Sequence, residues 1–83
     1  MDFHRSVVVD LPYGAAVSRV RDELAKQGFG VLTEIDLKAT LQSKIGAEIA
    51  PQVILGVCNP TLAHRALQID PRVAVLLPCN VTV

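Results

Sequence analysis

The residues best equipped for chemistry in this chain are Cys58, His64 and Cys79, with Asn59 beside the first. They fall in Leu55-Gly56-Val57-Cys58-Asn59-Pro60, in the helical stretch that follows, and in Pro78-Cys79-Asn80. Cys58 closes an apolar strand pattern, and a helix start follows it directly. A thiol at a helix N-terminus feels the positive end of the helix dipole, which favours the thiolate. Gly56 allows another backbone or a ligand to come close. Asn59 can cap the helix and leave further amide N–H groups for an anion. His64 lies one turn into the same helix, and a side chain pointing back towards the N-terminus would approach Cys58.

Three chemistries fit these residue types. Cys58, His64 and Cys79 could form a three-ligand soft site for zinc or copper(I). The two thiols could form a redox-active dithiol if their strands are neighbours. Cys58 could act as a nucleophile with His64 as its base. The spacing selects none of them, since there is no C-x-x-C and no H-x-x-x-H. The competing account is structural, because free cysteine often behaves as a small buried hydrophobe.

A second-tier pair is Glu34 and Asp36, two residues apart and so on one face of a strand. Paired carboxylates can bind a cation or exchange protons. The alternative is that Asp36 caps the next helix while Glu34 faces solvent or a cross-strand base. Gly28-Phe29-Gly30 is no dinucleotide fingerprint, because the order is helix then strand and the third glycine is missing. Ser6, Ser18 and Ser43 sit in no nucleophile elbow.

The elements that must position these residues follow from periodicity. Phe3 to Val9 reads as a strand ending in Val7-Val8-Val9. Tyr13, Val17, Val20 and Leu24 recur at helical spacing, and Gly28 marks the helix end. Phe29 to Ile35 reads as a second strand, with Val31, Thr33 and Ile35 on one face. Asp36 caps a short helix closed by Gly46. Gln52 to Cys58 is apolar on both faces and therefore central. Asn59-Pro60 starts a third helix and Asp70-Pro71 ends it. Val73 to Leu77 reads as a fourth strand, interrupted by Pro78 at a bulge or edge and continued from Cys79 to Val83. The order is β-α-β-α-β-α-β, a layered architecture whose sheet is left open between parallel and mixed.

Composition narrows the classes of function. Eighty-three residues make one domain, here residues 1–83. Hydrophobic residues reach 51% with few aromatics, so the core is aliphatic and some apolar surface is expected to meet a partner subunit, in a homodimer or higher homo-oligomer. The eight basic residues are balanced by eight acidic ones and are scattered, which argues against nucleic acid and an anionic membrane surface. No apolar run approaches the roughly 20 residues of a membrane span, and the N-terminus lacks signal-peptide order. Two cysteines are too few for a disulfide framework, so a cytoplasmic location is expected. The apolar ending Val81-Thr82-Val83 is expected to be covered by a partner subunit or by further chain.

Three stretches also resemble a known family. They are Gly28 to Asp36 with its short helix, Ile54 to Pro60 continued by Leu62-Ala63-His64-Arg65-Ala66-Leu67, and Leu76 to Val81. Together they resemble domain-of-unknown-function family 302, small bacterial and archaeal proteins. The resemblance implies an α+β fold similar to the TATA-box-binding-protein topology, with a mostly antiparallel sheet, helices packed on it, and dimers. It marks Cys58, Asn59, Pro60, His64 and Cys79 as positions of the family pattern and supplies no reaction. Members usually run on past the last strand into another strand and a helix, so the chain is expected either to be a shortened form or to lack those elements. The expectations for function are a homo-oligomeric metal- or small-ligand-binding module, a thiol-dependent enzyme or sulfur carrier using Cys58, or an interaction protein with inert thiols.

Overall fold

The computed structural model describes residues 4–83. The chain runs through α1 (Tyr13–Lys26), β1 (Gly30–Asp36), α2 (Leu37–Ile45), β2 (Val53–Cys58), α3 (Pro60–Ile69), a 3₁₀ helix (Pro71–Leu76) and β3 (Cys79–Thr82). The strands form one sheet in the order β1-β2-β3, with both neighbouring pairs antiparallel. The fold is therefore α+β with an antiparallel sheet, as the resemblance implied.

The connections explain the direction of the strands. Leu37 N–H donates to the Gln52 carbonyl at 3.0 Å, so the excursion through α2 leaves and returns at the same end of the sheet. A connection closed in this way turns β1 back along β2, as a hairpin does. β2 is central as expected, and Val53, Leu55 and Val57 on one of its faces are buried. Val17, Val20 and Leu24 of α1 pack on them together with Phe29, Val31, Val81 and Val83. The opposite side of α1 is polar, with Glu23 paired to both Arg19 and Lys26 at 3.0 Å.

The end of α1 is a Schellman motif. Gly28 has φ +83°, its N–H donates to Ala25 O, and Phe29 N–H donates to Leu24 O. The left-handed position needs glycine, and the apolar pair Leu24 and Phe29 turns the chain into β1. Asp36 caps α2, its carboxylate accepting from Ala39 N–H at 3.0 Å.

Several expectations change. Phe3 lies outside the described residues, and residues 4–9 form no strand because they join no ladder. β-propensity alone does not make a strand without a paired neighbour. The stretch Val73 to Leu77 is mostly helical instead of extended. Asp70 accepts from Arg72 N–H at 3.0 Å, and Pro71 stands at the first helical position. This cap-and-proline start outweighs the valines' preference for strands. Pro78 follows a cis Leu77–Pro78 bond and precedes β3, so it interrupts nothing. A register shift between Val31 and Thr33 leaves Leu32 without a partner and breaks the simple alternation expected along β1.

Candidate functional site

Cys58 is the last residue of β2 and is buried. Asn59 then caps α3, its Oδ1 accepting from Leu62 N–H at 3.1 Å. Its Nδ2 lies against Gly28, where an added Cβ would stand 3.2 Å away. Asn59 thus lies between the start of α3 and the end of α1, and its side-chain oxygen is committed to the cap.

His64 lies on the exposed side of α3, while Ala63, Ala66 and Leu67 are half-buried. No hydrogen bond joins His64 to Cys58 among the described residues. The expected proximity of imidazole and thiol is therefore not realised as a bonded pair.

Cys79 is the first residue of β3 and is exposed. It stands opposite Val57 in the ladder. Directly opposed residues share a sheet face, whereas consecutive residues alternate. Cys79 therefore shares the face of Val57, and Cys58 lies on the other one. The strands are neighbours as the dithiol reading required, but the sheet separates the thiols, and both cysteines are free. Among the described residues, no three His, Cys, Asp or Glu side chains are grouped to hold a metal ion. The zinc or copper(I) site expected at Cys58, His64 and Cys79 is not assembled, because strand parity and the exposed position of His64 disperse its ligands.

The second-tier carboxylates are also engaged separately. Asp36 caps α2, and Glu34 pairs with Arg21 of α1. The base opposite Glu34 comes from a helix and not from the adjacent strand. Both carboxylates serve the fold at these contacts.

The larger feature lies at the other edge of the sheet. In the β2–β3 ladder Val53 and Val83 exchange both backbone bonds at 3.0 Å. Antiparallel pairs alternate between bonded and non-bonded, so Leu55–Val81 and Val57–Cys79 are the other bonded pairs. The N–H and C=O groups of Asn80 and Thr82 then point away from β2 to the outer edge. A groove of about 1050 Å³ runs along that edge, between Asn80–Val83 and the segment of residues 4–9, with Ala16 and Val20 of α1 also lining it. A smaller, largely apolar hollow of about 550 Å³ adjoins it through Val9 and Val20. The sequence carried one signal of this site, the apolar stretch Val81-Thr82-Val83, but not the groove itself.

A three-stranded antiparallel sheet carrying helices defines a small α+β domain. The chain belongs to the domain of unknown function DUF302, whose family model matches residues 5–83. It is also similar to the crystal structure of an uncharacterized conserved protein DUF302 from Bacillus stearothermophilus, at 37% identity and a TM-score of 0.83. That similarity covers 93% of this chain and 60% of the Bacillus chain, so the chain spans about 60% of that protein's length. No curated protein matches. Among the described residues, no helix is long and apolar enough to cross a membrane.

Proposed function

We propose that this domain is a non-enzymatic interaction module that binds an extended polypeptide strand along the outer edge of β3. The observation that carries this reading is the row of outward backbone groups at Asn80 and Thr82, set in a groove wide enough to be lined from two sides. Strand addition draws its affinity from main-chain hydrogen bonds and its selectivity from the alternate side chains. Here the groove offers Val81 and Val83 on the core side and Asn80 and Thr82 on the other. The preferred ligand is a short strand that alternates apolar and polar residues.

The two edges of the sheet differ in a way that supports the choice. β1 carries the irregularity at Leu32 and the charged Glu34, both features that discourage strand pairing. β3 has neither charge nor bulge. The reading retains a binding module and replaces the metal with a peptide. The buried position of Cys58, without a bonded base, favours a packed thiol over a nucleophile. A cytoplasmic location fits two reduced thiols.

The test uses an acetylated, amidated Thr-Val-Thr-Val-Thr peptide titrated into labelled protein. Binding is expected to slow amide exchange at Asn80 and Thr82 and to leave the β1 edge unchanged. Unchanged exchange at both positions with millimolar peptide would reject the reading.

A further inference from the structure

We draw no further inference here: the strongest candidate, the largely apolar hollow of about 550 Å³ between Val9 and Leu11 and the α1 residues Val20 and Leu24, has a rim whose Arg19 and Glu23 already pair with each other, and nothing in the structure shows what covers it.

Discussion

Gly56→Ala should be among the most damaging single-methyl additions in this domain. Gly56 lies in central β2, opposite Thr33 of β1 on one side and Asn80 of β3 on the other. A Cβ built there would stand 2.2 Å from Thr33 Oγ1 and 2.9 Å from Pro78 Cγ. Both distances are far inside van der Waals contact, and the two neighbours come from opposite sides of β2. Thr33 could turn its hydroxyl away, but a β-branched side chain has few rotamers to choose from. The Pro78 ring can yield only by moving the backbone that leads into β3. Overpacking of this kind costs about 1–3 kcal/mol. Loss of glycine's freedom in the unfolded chain returns about 0.4–1 kcal/mol. Taking the middle of each range, the net is about 1.3 kcal/mol. For a small domain with a urea slope near ~1 kcal/mol/M, the midpoint should fall by about 1–2 M. The double variant Gly56→Ala/Thr33→Ala should recover part of the loss, because it removes the hydroxyl in the way. A midpoint that stays or rises in Gly56→Ala would refute the packing argument, and no recovery in the double variant would place the strain on Pro78 alone.

Two further outcomes are expected. Iodoacetamide should label Cys79 rapidly in the folded protein and Cys58 only on unfolding, since the first is exposed and the second buried; mass spectrometry of the labelled peptides decides it, and equal labelling would contradict the parity argument. Asp70 is held below its ordinary value by its pairing with Arg72, first through the side chain and then through the Arg72 N–H. A carboxylate lowered in the native state stabilises the fold above its unfolded-state value, near ~3.9, and loses that contribution as pH falls through the native value. The stability gap between wild type and Asp70→Asn should therefore be present at neutral pH and close in acid, as urea midpoints over a pH series would show. A gap constant across that series would mean that the cap and not the charge matters.

The helices and the central strand were legible because local signals and tertiary packing agree on them. Pro12 before Tyr13, Gly28, Asp36, Gly46 and the pair Asn59-Pro60 each mark an end that the structure uses. Where the reading failed, two principles competed within a few residues. Val73, Val75, Leu76 and Leu77 looked like a strand, but Asp70-Pro71 had already started a helix upstream of them. Val7-Val8-Val9 looked like a strand and lacks only the neighbour. The first failure was decided by nearby residues whose weight was underestimated, and the second by long-range pairing that no local pattern reports.

The candidate site was less legible for a geometric reason. Residue type can suggest that Cys58, His64 and Cys79 form a set, but whether they converge depends on register. One step of register along an antiparallel ladder moves a side chain to the opposite face. With Cys79 opposite Val57 the two thiols are separated; with Cys79 opposite Cys58 they would have met. That register is fixed by Val81 and Val83, which must lie on the same face as Leu55 and Val53 to complete the core. Burying these valines therefore sends Cys79 away from Cys58. The same register turns the backbone of Asn80 and Thr82 outward, so the packing that disperses the thiol site also shapes the outer edge of β3 on which the functional reading rests.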